Sequence, residues 1–377
     1  MKLILAVSLL VWGCQGQKNN FLGLNQWLGT FLNPTNNTPT DCYTEKQEEG
    51  QCVKLSECMD SNEIDLEKMD VYRDRSCHYL KICCPNSRLV TETVTPPPMP
   101  KKRPGCGWSN PGGYIFRDSS KTHAEFGEFP WMVALMSKDG VDWRQNDYLG
   151  GGSLIHKSVV ITAAHKVQTL NASQVKCRAG EWDTKTTNEV YPHQERDVKN
   201  IVIHSNYDRS QFKNNVALLI LQTPFDLTVP HIGTACLEST MPPPGTECYS
   251  MGWGQKDFNK DEYAVILKKI SSPLLDNSVC EVAFRPIVGS AYNMDDSMTC
   301  AGRVTGLSNC MGDGGSPLIC TMPSSEGTRY AVVGLVVFGY RCGLNGIPVA
   351  FTKIPHVYNW IDDTMKTYNY DTTSFKF

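Results

Sequence analysis

The sequence predicts an all-β chain that ends in one helix and is preceded by a small disulfide-knotted unit. Three observations carry this expectation. From about Cys106 onward, short apolar or β-branched runs recur between clusters of Gly, Pro and Asn, which is the spacing of a β-sandwich or barrel. Only the final stretch, Pro355 to Lys366, has helical spacing, with Val357, Trp360, Ile361 and Met365 able to line one face. Ahead of both, the six cysteines between Cys42 and Cys84 reach a density typical of secreted domains too small to hold a core without crosslinks.

Length and charge bound the rest. With 377 residues, 41% of them apolar, the chain suffices for one large core plus a smaller unit. A net charge of -3, from 36 basic and 39 acidic residues spread along the chain, leaves no basic footprint for nucleic acid. The start reads Lys2, an apolar run from Leu3 to Trp12, then Gly13 and Gly16, which is the plan of a secretory leader over residues 1–16. It is too short to span a bilayer, and the greasiest later run, Ala331 to Phe338, suits a buried strand. No membrane span is expected, and the chain reads as secreted and extracellular. In an oxidising compartment its 16 cysteines read as disulfides, with no metal or cofactor called for. Asn36 and Asn171 begin Asn-x-Ser/Thr glycosylation sequences, whereas Asn33 is followed by Pro34 and does not.

Residues 17–41, rich in Asn, Thr and Pro, are expected to form a flexible arm. Cys42, Cys52, Cys58, Cys77, Cys83 and Cys84 follow; the adjacent last pair fits zinc-ligand spacing poorly, and spacing alone leaves fifteen pairings open. Residues 85–105 hold Pro96, Pro97, Pro98, Pro100 and Pro104 beside Lys101, Lys102 and Arg103, and read as an extended, protease-accessible spacer. The block 42–84 resembles the clip domain of arthropod haemolymph proteases in cysteine order and in its closing adjacent pair. That resemblance implies Cys42–Cys83, Cys52–Cys77 and Cys58–Cys84.

Within 106–377 the apolar runs Trp131–Met136, Val159–Thr162, Ile201–His204, Val216–Leu221 and Tyr330–Phe338 are expected as strands, and Trp131, Trp253 and Trp360 as core aromatics. Glu181-Trp-Asp183 and Tyr191-Pro-His-Gln-Glu-Arg196 read as structural, with exposed partner-contacting loops the competing reading. Three phrases carry chemistry: Thr162-Ala-Ala-His165, Asn215-Val-Ala-Leu-Leu219 and Gly312-Asp-Gly-Gly-Ser-Pro-Leu318. They resemble the chymotrypsin-like serine proteases, in that family's order of His, Asp and Ser. The likeness extends from Glu128 to Ile361 through Phe129-Pro-Trp131, Gly151-Gly-Ser-Leu-Ile155, Gly252-Trp-Gly254 and Cys300-Ala-Gly302. It implies a double antiparallel β-barrel.

Acyl transfer in that family needs a hydroxyl nucleophile, a histidine to take its proton and a buried carboxylate to orient the histidine. Here only His165 matches. Gly314 stands at the nucleophile's position and Asn215 at the carboxylate's, while Ser316, two residues along, is displaced from both base and oxyanion donors. Ser308 occupies the pocket floor, where trypsin-like members carry Asp. Val349 occupies a wall that is normally Gly and is expected to fill the slot, and Val337-Phe-Gly339 takes the place of the substrate-pairing Ser-Trp-Gly. Backbone N–H groups of Gly312 and Gly314 remain as oxyanion donors with no nucleophile to serve. No Ile-Val-Gly-Gly-like activation sequence precedes Glu128 to supply an amino terminus for Asp313.

The same resemblance implies Cys106–Cys236, Cys248–Cys320, Cys280–Cys300 and Cys310–Cys342. The family's crosslink beside the catalytic histidine is absent at both ends, replaced by Gly150 and Lys166; such a bridge over a roughly 15-residue loop stabilises by about 3 kcal/mol. Cys177 has no family partner, and two readings stay open: buried and inert, or crosslinked to another chain. Cleavage candidates are Arg73, Arg75, Arg88 and Arg117, whereas Pro104 blocks cutting after Arg103.

Taken whole, the chain resembles a clip-domain serine protease homologue, a non-catalytic class. The resemblance implies a cofactor in a haemolymph cascade, cut by a clip-domain protease, binding prophenoloxidase or its activator and able to self-associate. An adhesion or microbial-recognition protein is the alternative from another class, and a residual peptidase with a substitute nucleophile a third.

Overall fold

A computed structural model describes residues 41–44, 47–53, 58, 77, 82–89, 103–110, 122–140, 147–185, 191–256, 258, 262–302, 308–325 and 327–377. The expected leader, Asn36, Arg73, Arg75, Arg117 and most of the Pro-rich stretch 85–105 lie outside them.

Strands β4 (Met132–Ser137), β5 (Tyr148–His156), β6 (Val159–Thr162), β7 (Val175–Ala179), β8 (Gln194–Ile203) and β9 (Ala217–Leu221) close an antiparallel barrel in the order β4-β5-β6-β9-β8-β7. Every residue of β6 and β9 is buried, which is why both read as unbroken apolar runs. β8 is far longer than the Ile201–His204 run suggested. Its first four residues, Gln194-Glu-Arg-Asp197, are all polar and half-buried, so counting apolar residues passes over them. Glu181, Trp182 and Asp183 are buried, and Arg178 donates to both Glu181 and Glu195, so this segment is structural.

The second sheet runs β12 (Lys268–Ser271), β11 (Cys248–Gly252), β14 (Pro317–Met322), β15 (Arg329–Gly339), β16 (Val349–Lys353), β13 (Met298–Ala301). It curls until an antiparallel bridge between Leu274, just past β12, and Ala301 of β13 joins its two ends. With the first barrel this makes the double β-barrel of chymotrypsin-like proteins. One pairing departs from the antiparallel rule: the two-residue β10 (Cys236–Leu237) lies parallel to β15.

Helices supply two corrections. α2 (Asn277–Val288) was not visible in the sequence, because Pro286 and the β-branched Val279 and Val282 weaken helical propensity. Its start is set by Asp276, whose carboxylate accepts the Ser278 N–H, and Cys280 and Phe284 anchor it to the core. The terminal helix α3 (Ile354–Thr367) buries Ile354, Val357, Ile361, Thr364 and Met365. Trp360 lies beside that stripe, only partly buried, with its ring 4.9 Å from that of His204.

In the front unit β1 (Asp41–Tyr43), β2 (Glu49–Val53) and β3 (Ile82–Pro85) form a three-stranded antiparallel sheet. Disulfides join Cys42–Cys83, Cys52–Cys77 and Cys58–Cys84 there, and Cys106–Cys236, Cys248–Cys320, Cys280–Cys300 and Cys310–Cys342 in the larger region. The sulfurs of Cys42, Cys77 and Cys83 lie within 4.8 Å of one another, but each is already bonded to another sulfur and has no thiolate to offer a metal.

Candidate functional site

The two barrels meet along a cleft to which each contributes one edge. α1 (Ala164–Val167), directly after β6, carries His165; the residue pair before β9 presents Asn215; the turn before β14 presents Gly312, Asp313 and Gly314. Thr352 of β16 donates its hydroxyl to the Asn215 carbonyl, and Gly151 of β5 donates its N–H to the Gly314 carbonyl, so each barrel holds a piece of the other's site. The three positions singled out in the sequence, far apart along the chain, come together here.

The Asn215 side chain can face His165 in only one way. Its Oδ1 accepts the backbone N–H of His165 at 2.9 Å, and because a backbone N–H only donates, the amide oxygen must be on that side. The amide nitrogen is then 2.9 Å from His165 Nδ1 and donates to it. Nδ1 is thereby an acceptor, and the ring proton sits on Nε2, the atom that faces the cleft. Burial, with the Lys166 charge next to it, pulls the His165 pKa to about 4, only partly opposed by the Asn215 hydrogen bond. The imidazole is therefore neutral near pH 7 and presents a donor where a general base needs a lone pair.

Gly314 offers no side chain. A Cβ built there would lie 2.8 Å from His165 Nε2 and 2.8 Å from Lys166 Cδ, so the lysine stem and the imidazole close over the space a larger residue would need. Gly150 is required by the backbone first: with φ +154°, a Cβ on it would lie 2.6 Å from the Gly314 carbonyl oxygen, and the Lys166 Cε, at 2.7 Å, uses the same room. Ser316 is fully buried, its hydroxyl 3.0 Å from where a Cβ on Gly252 would stand, and it does not line the cleft. The cleft, about 310 Å³, is bounded by His165, Lys166, Gly312, Gly314 and the apolar edge Val336–Phe338. Ser308 and Val349 do not line it; Val349 is buried, its Cγ2 3.4 Å from a Cβ position on Gly339.

Sequence reasoning left Asp313 without a counter-charge. The structure supplies one. Lys268 of β12 reaches Asp313 Oδ2 at 2.6 Å, with both side chains essentially inaccessible, at 1% and 0% exposure. Lys268 also donates to the Gln255 carbonyl, while the N–H groups of Gly254 and Cys310 donate to the two Asp313 oxygens. Each buried charge is thus paired and hydrogen-bonded, the condition under which such burial is tolerated. A signal was available: Lys268 shares the inward face of β12 with Ile270, two residues on.

Cys177, in β7, is fully buried among Val133, Leu135, Val175 and Ala179, and burial raises its thiol pKa far above the usual value. The native protein should resist iodoacetamide at this residue, with alkylation appearing only in denaturant. Rapid native modification, read by mass spectrometry of the Cys177 peptide, would contradict this.

Residues 119–361 match the family described as Trypsin, in agreement with the double barrel. The chain is 40% identical over 293 residues to phenoloxidase-activating factor 2 of Galleria mellonella, an alignment covering 74% of this chain and 95% of that one. It is 31% identical over 353 residues to the inactive CLIP domain-containing serine protease A8 of Anopheles gambiae, covering 91% and 90%. A second Anopheles gambiae protein, inactive CLIP domain-containing serine protease A28, is 30% identical over 312 residues, 80% of each chain. The chain belongs to the clip-domain serine protease homologues, and like the relatives named inactive it is non-catalytic. Among the described residues, no helix is long and apolar enough to cross a membrane.

Proposed function

We propose that this protein is a secreted cofactor of a haemolymph protease cascade, in which the trypsin-like domain binds and does not cut. In this reading Gly314 replaces the family's nucleophilic serine and Asn215 its aspartate. The observation that carries it is the Asn215 amide, held so that His165 Nε2 carries the ring proton next to a residue with no side chain. Restoring a hydroxyl alone would leave that proton in place. The partners are a clip-domain protease that cuts this chain and prophenoloxidase or its activator, and the outcome is melanisation; the likeness to a phenoloxidase-activating factor supports this choice. Residues 1–16 serve as the signal peptide, and the exposed Asn171 carries a glycan.

The disulfides give each candidate cut a different consequence. All three bridges of the front unit lie within residues 42–84, and the larger region's own bridges begin at Cys106. A cut after Arg88, which is exposed, would release the front unit entirely. A cut after Arg117 would leave it tethered by Cys106–Cys236, and cuts after Arg73 or Arg75 would fall inside the loop closed by Cys52–Cys77. Gels run with and without reductant separate these cases.

The test is phenoloxidase activity with purified prophenoloxidase and its activating protease, adding this protein intact or after cleavage by an upstream clip protease. Enhancement by the cut form alone is the expected result. No effect of either form would overturn the cofactor role, and binding to microbial surfaces without such an effect would favour adhesion.

A further inference from the structure

The cleft holds a positive charge that the loss of catalysis does not require. Among the described residues, the Lys166 ammonium has no hydrogen-bond or ion-pair partner, although burial already pulls its pKa below the ordinary lysine value. Its stem runs through room that Gly150 and Gly314 leave open, with Cε and Cδ 2.7 and 2.8 Å from where their Cβ atoms would stand. The missing side chain at 314 thus leaves room for a stem that brings an amine to this cleft. A lysine that merely filled a gap left by a missing disulfide would gain nothing from having its charge partly buried there, since an unpaired charge is costly to desolvate.

Other donors converge beside it. His165 turns Nε2–H toward Gly314, by the amide argument above. The N–H groups of Gly312 and Gly314 are accepted by no described residue, and Gly314 is buried, so its donor is an orphan of the kind native structures rarely leave without a partner. Asp313 favours the Lys166 charge from a distance, but its own oxygens are already taken by Lys268 and two backbone N–H groups. An ammonium, an imidazole N–H and two amide N–H groups therefore border one small space, which is the chemistry of an anion receptor. The opposite wall, Val336 to Phe338, is apolar and favours an anion that carries an apolar body.

We propose that the cleft is a receptor for the terminal carboxylate of a peptide chain ending in a small apolar residue, with Lys166 as counter-charge and the Gly312 and Gly314 amides as donors. A chain end of this kind is what a protease leaves behind, and its recognition in a backbone nest is an established binding mode. The carboxylate would lie in the open part of the cleft that His165, Lys166, Gly312 and Gly314 line. The proposal is independent of the cascade role: a receptor for cut chain ends can act in a cascade or outside one.

The test is calorimetric titration of the full chain with acetyl-Ala-Ala-Val bearing a free carboxylate, with the same peptide as its amide, and with acetate. The acid is expected to bind at least about tenfold more tightly than the amide, and Lys166→Met to bring the acid down to the amide's level while Lys166→Arg retains binding. Acid and amide of equal affinity, or no binding by either, would overturn the proposal, as would a Lys166→Met protein that still prefers the acid. Acetate as tight as the peptide would overturn the assignment to a chain end. If Lys166→Met fails to fold, the acid–amide comparison on the native sequence still decides.

Discussion

Lys268→Met is expected to cost about 3–5 kcal/mol and to lower Tm by roughly 6–20 °C. The substitution keeps the volume and the strand but leaves Asp313 as a buried charge without its partner. Two N–H groups, from Gly254 and Cys310, would still bind it, and they are insufficient compensation for a full negative charge. Adding Asp313→Asn removes the charge and keeps an acceptor for one of those groups while its NH2 stands opposite the other, so the double variant should recover part of the loss. Calorimetric melting of the two variants checks this; a Tm within about 2 °C of the native protein for Lys268→Met would mean the pair contributes nothing. The pair also bears on activation. In active relatives this aspartate waits for an amino terminus created by cleavage, whereas here an internal lysine already occupies it. The loop from Cys310 to Gly314 is therefore held in place without an amino terminus, and in the cofactor reading proposed above a cut would have to act elsewhere.

Gly314→Ser alone is expected to leave the protein unreactive, and Asn215→Asp added to it to raise labelling by a fluorophosphonate probe about 10⁴-fold. The hydroxyl restored at residue 314 would face an imidazole whose Nε2 is protonated, because the Asn215 amide donates to Nδ1. A carboxylate at 215 reverses this: it accepts from Nδ1–H and frees Nε2 to take the serine's proton. The comparison belongs on a Lys166→Ala background, since the lysine Cδ lies 2.8 Å from a Cβ at 314 and would otherwise crowd the new side chain. Labelling of the single revertant within tenfold of the double would show that the amide does not govern the histidine.

Much of this was legible in the residues. β6 occupies the span Val159–Thr162 that its apolar run marked, and β9 begins one residue after the start of the run Val216–Leu221, because both are buried on every side. The cleft was legible for another reason: His165, Asn215 and Gly314 stand in three phrases that resemble the chymotrypsin-like proteases in wording and in order along the chain. What stayed hidden depends on partners distant in sequence. Lys268 reads as one of two adjacent surface lysines until Asp313 is placed 2.6 Å away. Lys166 reads as a lost cysteine until Gly150 and Gly314 are seen flanking its stem. The helix α2 is masked by Pro286, and it persists through tertiary anchoring by Phe284 and by Cys280 in its bridge to Cys300. Trp360 shows the converse error, where hydrophobicity alone assigned to the core a ring that lies against His204 at its margin.

The claim beneath all of these is that the trypsin-like domain is a binding body with no acylating centre, before or after cleavage. The direct measurement is fluorophosphonate labelling of the native protein, intact and cut by an upstream clip protease, with intact-mass readout. No adduct in either form is the predicted result. A stoichiometric adduct in the cut form, mapped to any residue of the cleft, would contradict the account.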